Sequence, residues 1–276
     1  MSNLIHQPCG DCGSSDALQI NIAENGAVKS TFCHSCGQYT AASDGYSPVE
    51  IPEPSEPKPK PDFSSVERML TTANYQAIVS RGLNTATAKT YGILEKPDKT
   101  YFSYHDPEDA NVPIAAKIRL PDKNFYNVGN WSGAGLFGQQ LFNGGGKYIT
   151  LCEGEFDAAA AYQMQGSKYA CVSVRNGAGG ALKDCKAAYE YLDSFEAIII
   201  CFDADEAGCK ASKEVAELFS GKAAIVKHTG GHKDACDYLV ANDIKGFVAA
   251  FWAAEKFVPD GIINGASLWD EVNRPV

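Results

Sequence analysis

Acidic residues directly follow two apolar runs of the sequence, at 148–152 and at 197–202. Both runs are predicted strands, and ligands of an open α/β sheet bind at the carboxyl edge of its strands. We therefore expect the two groups of carboxylates to converge, where they repel one another unless cations hold them together. Glu153, Glu155 and Asp157 form the first group, and Asp203 and Asp205 form the second.

These acids could instead serve only as helix caps, because both groups precede helical patterns and anions are favoured at helix N-termini. Five acids in two groups exceed what capping needs, and Asp234 and Asp237 follow farther along the chain. The sequence therefore favours a site for divalent metal ions, which take carboxylate oxygens as ligands.

Four of the ten cysteines form two Cys-x2-Cys pairs with 20 residues between them: Cys9, Cys12, Cys33 and Cys36. Two tight turns of this kind present four thiolates tetrahedrally to zinc. A redox role is the alternative for either pair alone, but two pairs favour one structural Zn²⁺. Because so short a segment cannot fold unaided, we expect the metal to supply its stability. The other six cysteines are expected to be reduced.

The net charge is −10, which at first argues against a nucleic-acid partner, since phosphate binding normally shows as a basic face. Eight of the 34 acids lie in the predicted metal segments, where cations would offset their charge, so the net charge excludes nothing. The start of the sequence lacks the features of a secretory signal, and no apolar run is long enough to cross a bilayer. We expect a cytoplasmic protein without membrane contact.

We predict five segments along the 276 residues. They are a zinc-binding ribbon at 1–43, a proline-rich linker at 44–62, an α+β subdomain at 63–147, an α/β subdomain at 148–256 and the start of a second linker at 257–276. The first linker contains six prolines, which are typical of a semi-rigid spacer.

The segment 63–147 is relatively basic and carries the aromatic residues Phe125, Tyr126 and Trp131. That composition suits phosphate contact and base stacking, although a solvated sheet edge with core aromatics fits it equally well. Its patterns predict helices at 64–80 and 85–91 and strands at 101–104 and 113–120.

Strand and helix patterns alternate through 148–256, which predicts a parallel sheet with helices on its faces. The predicted strands are 148–152, 170–174, 197–202 and 223–227, and the predicted helices are 156–165, 180–192, 206–219 and 244–255. A glycine-rich turn at 176–180 could bring backbone amides close to a phosphate, but it matches no nucleotide-binding fingerprint.

Together these motifs resemble the Toprim fold shared by bacterial-type primases and topoisomerases. With the ribbon, the sequence is similar to the primase half of phage primase-helicases of the T-odd type, from Cys9 to about Leu268. The motifs that carry the resemblance are Glu-Gly-x-x-Asp from Glu153, Asp-x-Asp from Asp203, Lys117-Ile118-Arg119, Lys123-Asn124-Phe125, Leu136-Phe137-Gly138, the glycine turn from Asn143 to Lys147, and Phe202 to Gly208.

The resemblance implies an α/β Toprim-type parallel sheet with an α+β N-terminal subdomain, preceded by a small all-β zinc ribbon. It also implies a DNA primase that makes short RNA primers from ribonucleoside triphosphates on single-stranded DNA, by two-metal nucleotidyl transfer in phage DNA replication. Glu153 would be a metal ligand or general base, while Lys117 and Lys123 would neutralise the triphosphate. The implied magnesium ligands, with Mn²⁺ as an alternative metal, are Glu153, Asp157, Asp203, Asp205 and Asp234.

The implied partners are a single-stranded DNA template, ribonucleoside triphosphates, a helicase domain and a replicative DNA polymerase. The chain departs from the family at Ser30, where a template-reading histidine commonly lies, and His34 is another candidate for DNA contact. No Gly-x4-Gly-Lys-Ser/Thr motif is present, and we favour a fragment over a primase-only gene product. A Toprim nuclease and a non-catalytic single-stranded-DNA-binding module are the alternatives.

Overall fold

A computed structural model describes residues 3–7, 9, 17–23, 28–34, 38–41, 63–109, 111–122 and 124–259. The chain divides into two compact units, residues 1–61 and 62–276. Three predicted site residues, Cys12, Cys36 and Lys123, lie outside the described residues, as does the linker predicted at 44–62. Within the described ranges, no helix has both the length and the apolar character needed to span a membrane.

The first unit contains a four-stranded antiparallel sheet, in agreement with the predicted all-β ribbon. Its strands are β1 (Asn3–Gln7), β2 (Leu18–Ile22), β3 (Val28–Cys33) and β4 (Tyr39–Ala41). Cys9 and Cys33 are buried with Ile20 and Val28 in the described part of this unit. Such a small core supports the expectation that the unit needs a further source of stability.

The second unit begins with helices α1 (Phe63–Thr72) and α2 (Thr85–Tyr91), followed by an antiparallel sheet of four strands in sequential order. The strands are β5 (Ile93–Lys96), β6 (Lys99–His105), β7 (Pro113–Arg119) and β8 (Phe125–Gly129). The prediction of one helix over 64–80 was wrong. The helix ends at Thr72, and farther along Ile78 pairs with Leu83 across the turn at Gly82, where both apolar side chains are buried.

A five-stranded sheet follows in the order β10-β9-β11-β12-β13, and its first four strands are parallel, as predicted. Its strands are β9 (Tyr148–Cys152), β10 (Ala170–Ser173), β11 (Ala197–Cys201), β12 (Ala223–Ile225) and β13 (Glu255–Lys256). The two-residue β13 pairs antiparallel with β12. Sequence patterns missed it because so short a strand carries no periodicity.

Six helices accompany this sheet in the described residues: α3 (Glu155–Met164), α4 (Gly177–Ala187), α5 (Tyr189–Asp193), α6 (Glu206–Leu218), α7 (Ala235–Val240) and α8 (Ile244–Trp252). The single helix predicted at 180–192 is in fact the pair α4 and α5. The six-residue α7 was not predicted, although it begins at an acidic segment that the sequence singles out.

The central strands β9 and β11 are buried on both faces. Leu151 and Ile200 pack into one apolar core, whereas Cys152 and Cys201 pack into the core on the opposite face. This double coverage fixes the carboxyl ends of β9, β10 and β11 at a common edge, which is where the acidic groups were predicted to meet.

Tyr91 connects α2 to the parallel sheet. Its side chain is fully buried, and its hydroxyl donates a hydrogen bond of 2.8 Å to the backbone oxygen of Cys171 in β10. The ring also contacts Phe137 and Tyr162, at centroid separations of 5.5 Å and 5.4 Å.

We expect Tyr91→Phe to lower the free energy of unfolding by about 1–3 kcal/mol, because the hydrogen bond to Cys171 is lost in a dry environment. Urea denaturation measures the change. Tyr189→Phe is the control, since the Tyr189 side chain is 41% exposed. Equal stability of wild type and Tyr91→Phe would contradict the role assigned to this hydrogen bond.

Candidate functional site

The acidic residues at the carboxyl edge of the parallel sheet are held by helix N-termini. Oε1 of Glu153 accepts a hydrogen bond of 3.1 Å from the amide of Ala178, in the first turn of α4. Oδ1 of Asp157 accepts one of 3.0 Å from the amide of Cys236, in the first turn of α7. Free amides at a helix N-terminus carry partial positive charge, so both contacts stabilise a carboxylate.

Two further acids cap the helices that follow them, as the capping alternative proposed. Asp205 accepts a hydrogen bond of 2.8 Å from the amide of Gly208 at the start of α6. Asp234 accepts one of 2.7 Å from the amide of Asp237 at the start of α7. Each of these bonds uses Oδ1, so capping leaves Oδ2 for a further contact.

Electrostatic repulsion connects all five acids that were predicted to bind magnesium. Burial, together with the negative charges of Glu153, Asp234 and Asp205, raises the pKa of Asp203 to about 7. Burial also raises the pKa of Asp157 well above its ordinary value, with added repulsion from Asp234 and Asp203. The structure therefore brings Glu153, Asp157, Asp203 and Asp205 within electrostatic reach of one another and of Asp234, whereas Glu155, which was also predicted to converge with them, pairs with Lys117.

The donor set fits a hard divalent cation. Oε2 of Glu153 is buried and has no hydrogen-bond partner in the described part of the chain, so this oxygen is available to bind a cation. Carboxylate oxygens with raised pKa values are suited to Mg²⁺ or Mn²⁺, whose charge removes the repulsion. No three acidic, histidine or cysteine side chains among the described residues lie close enough to hold one ion. The individual magnesium ligands therefore stay a prediction.

Gly208 brings the start of α6 very close to the backbone of Asp203. A Cβ atom at position 208 would overlap the carbonyl oxygen of Asp203. Gly208 is also buried, and its amide is the one that Asp205 caps. The glycine of the segment Asp-Ala-Asp-Glu-Ala-Gly thus sets the distance between β11 and α6.

Lys117 in β7 joins the antiparallel sheet to α3. Its Nζ forms an ion pair with Glu155 and donates a hydrogen bond of 2.6 Å to the backbone oxygen of Arg175. Glu155 also accepts a hydrogen bond of 2.6 Å from the hydroxyl of Tyr104. Lys117 is only 7% exposed, so in this structure it neutralises Glu155. Its predicted contact with a triphosphate stays a prediction, as does that of Lys123.

A basic cavity of about 270 Å³ opens beside α3. Arg81 and Arg119 line it with Phe156, and their guanidinium carbons lie 4.7 Å and 5.8 Å from the centre of the Phe156 ring. Lys96 and Lys99 also line the cavity. Phe156 is adjacent to Asp157 in α3, so the cavity and one of the five acids share a helix. Sequence reasoning missed Arg81, which stands alone at a turn outside every motif.

The glycine-rich turn at 176–180 forms the start of α4, and its Ala178 amide donates to Glu153. The preceding residue, Arg175, forms a buried ion pair of 3.1 Å with Asp184. The predicted phosphate contact of this turn stays a prediction. The zinc ligands stay a prediction too, because two of the four cysteines lie outside the described residues.

We expect the metal-free protein to lose stability as the pH rises from about 4 to about 7. Asp203 has a pKa of about 7 when folded, against an ordinary value of 3.8, so the folded state binds more protons in this range. Chemical denaturation in EDTA at several pH values measures the effect.

Asp203→Asn should flatten this pH dependence, whereas Glu214→Gln, a control in the nearby helix α6, should keep it. Equal slopes in wild type and Asp203→Asn would show that the ionisation of Asp203 does not oppose folding.

We expect Lys117→Met to lower the free energy of unfolding by about 3–5 kcal/mol, because it leaves Glu155 buried without its cation. Lys117→Met with Glu155→Gln should recover part of the loss. The exposed pair Lys210 and Glu214, with an N–O distance of 3.9 Å, gives the matched control, and its variants should change stability by less than about 1 kcal/mol. Equal losses for the buried and exposed pairs would contradict this assignment.

Residues 150–239 match the model of the Toprim-like family. The DNA helicase/primase of Enterobacteria phage T3 is 33% identical in an alignment of 275 residues, which covers 98% of this chain and 47% of that protein. The chain thus spans about half the length of this curated relative.

Two solved structures of phage primases are also similar to this chain. The primase fragment of the bacteriophage T7 primase-helicase matches with a TM-score of 0.59 and 32% identity, over 91% of this chain and 100% of that one. A complex of bacteriophage T7 lagging-strand DNA polymerase with primase domains, an RNA/DNA hybrid and dTTP also matches with a TM-score of 0.59. Its identity is 36%, over 67% of this chain and 94% of the matched chain. The chain therefore belongs to the family formed by the primase halves of phage primase-helicases.

Proposed function

We propose that the chain is a DNA primase that synthesises short RNA primers from ribonucleoside triphosphates on single-stranded DNA during phage replication. The observation that carries the proposal is that α3 holds both Phe156, which lines the basic cavity, and Asp157, one of the five carboxylates. Arg81 and Arg119 offer positive charge to phosphates, and Asp157 in the neighbouring helix offers an oxygen ligand.

In the proposed reaction, the 3′-hydroxyl of one nucleotide attacks the α-phosphorus of the next triphosphate, and pyrophosphate leaves. Glu153 is the proposed general base, since its Oε2 is without a hydrogen-bond partner among the described residues. Arg81 and Arg119 neutralise the triphosphate, and we assign the same role to Lys123 and to Lys117 after release from Glu155. Bound magnesium, or manganese in its place, would stabilise the negative charge of the attacking and leaving oxygens.

We further propose that Cys9, Cys12, Cys33 and Cys36 hold one structural zinc ion. Burial of Cys9 and Cys33, among few other buried side chains in the described part of this unit, supports this assignment. The ribbon would then meet the DNA template as a separate unit joined through the proline-rich linker.

The proposed partners are the template, a helicase domain in a longer protein and a replicative DNA polymerase. The T3 relative is named a helicase/primase, and the T7 complex contains primase domains that interact with a DNA polymerase. Such a protein would act in the host cytoplasm on replicating phage DNA.

The test is incubation of the chain with mixed-sequence single-stranded DNA, labelled ribonucleotides and Mg²⁺, with Asp203→Asn and Glu214→Gln in parallel. We expect labelled oligoribonucleotides from wild type and Glu214→Gln. Synthesis by Asp203→Asn should fall by about 100-fold or more, because loss of a metal ligand removes several kcal/mol of charge stabilisation.

Other outcomes would replace the proposal. Shortened DNA in a reaction that depends on Asp203 would indicate a Toprim nuclease. Retained DNA binding with neither synthesis nor cleavage would indicate a non-catalytic accessory module. Omission of the divalent metal separates the two, because simple DNA binding should survive it.

A further inference from the structure

Phe125 in β8 presents a large aromatic ring to solvent. Its exposure is 58%, whereas Tyr126 and Trp131, the aromatic residues nearest to it in the sequence, are packed. Tyr126, on the opposite face of β8, packs against the core formed with α1. Trp131 packs edge-on against Tyr104, with a centroid separation of 4.7 Å. Phe125 therefore contributes little to either core, and its exposed ring needs another explanation.

The exposed ring lies among the cations of the candidate site. The Nζ of Lys117 is 5.2 Å from the centre of the Phe125 ring, and this lysine is paired with Glu155. Arg119 is the direct register partner of Phe125 on β7, and it lines the basic cavity. A ligand with phosphates near Arg119 could thus place an attached ring against Phe125.

Asn127 adds a polar group on the same face of the strand, two residues from Phe125. It is the register partner of Lys117, and its Oδ1 is buried without a hydrogen-bond partner within the described residues. An amino or hydroxyl group of a ligand is the kind of donor that would satisfy this oxygen. The face of β8 toward the site therefore combines an aromatic surface with an unused acceptor.

We propose that Phe125 is the stacking platform for a nucleobase at this site. A nucleobase joined to phosphates matches the surface, because its π face can stack on Phe125 while Arg119 and Arg81 bind the phosphates. The proposal rests on the proposed primase function and adds a base-binding group to it. The base belongs either to an incoming ribonucleotide or to the DNA template, and the two sources are separable by experiment.

The experiment uses the whole chain as wild type and as three variants: Phe125→Ala, Phe125→Leu and Phe125→Trp. Leucine keeps the apolar bulk but removes the π face, and tryptophan keeps the π face. Tyr189→Ala is the control for loss of an exposed aromatic ring elsewhere, on α5. The probes are 2-aminopurine riboside triphosphate, whose fluorescence is quenched by stacking, a short oligodeoxynucleotide containing 2-aminopurine, and inorganic tripolyphosphate as a competitor without a base.

We expect Phe125→Ala and Phe125→Leu to bind at least one fluorescent probe about 5- to 100-fold more weakly, with Phe125→Trp and Tyr189→Ala close to wild type. Competition by tripolyphosphate should be unchanged, since it contacts the cations alone. Loss confined to the triphosphate identifies the incoming nucleotide as the source of the base. Loss confined to the oligodeoxynucleotide identifies the template.

Unchanged binding of both probes in Phe125→Ala would overturn the stacking platform, as would an equal loss of tripolyphosphate binding. The synthesis assay with Asp203→Asn distinguishes this failure from failure of the primase proposal. If Asp203 is required for synthesis while Phe125→Ala binds both probes normally, the primase proposal is retained and the proposal of base stacking on Phe125 is rejected.

Discussion

Mutual repulsion among five carboxylates at one edge of the parallel sheet is the constraint on which the rest of the structure depends. Two neighbouring strands deliver Glu153 and Asp203 to this edge, and burial raises the pKa of Asp203. The fold limits the cost by directing the N-termini of α4, α6 and α7 at the acids, so that peptide amides supply partial positive charge. These amides bind only one oxygen of each carboxylate. The remaining oxygens make the edge suited to cations.

The antiparallel sheet contributes the opposite charge. Lys117 reaches from β7 to Glu155 and so attaches the basic sheet to the helix that carries Asp157. Because water is nearly excluded from this ion pair, it holds the two sheets in position relative to each other more strongly than an exposed pair would. The basic cavity is accordingly lined both by Arg119, from the same strand as Lys117, and by Phe156 of α3. Phosphates bound in the cavity and a cation bound by Asp157 would therefore both lie next to α3.

The sequence predicted the elements that carry strong local signals. Asp203 follows an apolar strand and precedes an amphipathic helix, so its place at the sheet edge follows from pattern alone. The partner of Lys117 could not be predicted, because Glu155 lies far away in the chain and the pair forms only when the two sheets pack. The helix expected over 64–80 ends at Thr72, and the pairing of Ile78 with Leu83 farther along was likewise not visible in the helical periodicity. Arg81 enters the cavity through that same turn, and no local signal marked it.

Gly208 has a consequence for how the sequence of such proteins changes over time. A larger residue there would push α6 away from β11, whether or not the protein ever bound a cation. A descendant that had lost its catalytic activity would still be selected for glycine at this position, because the fold requires it. The glycine of the motif from Phe202 to Gly208 is therefore explained by the packing of β11 against α6. Asp157 and Asp203, whose repulsion in a buried setting opposes folding, are the better markers of a working enzyme.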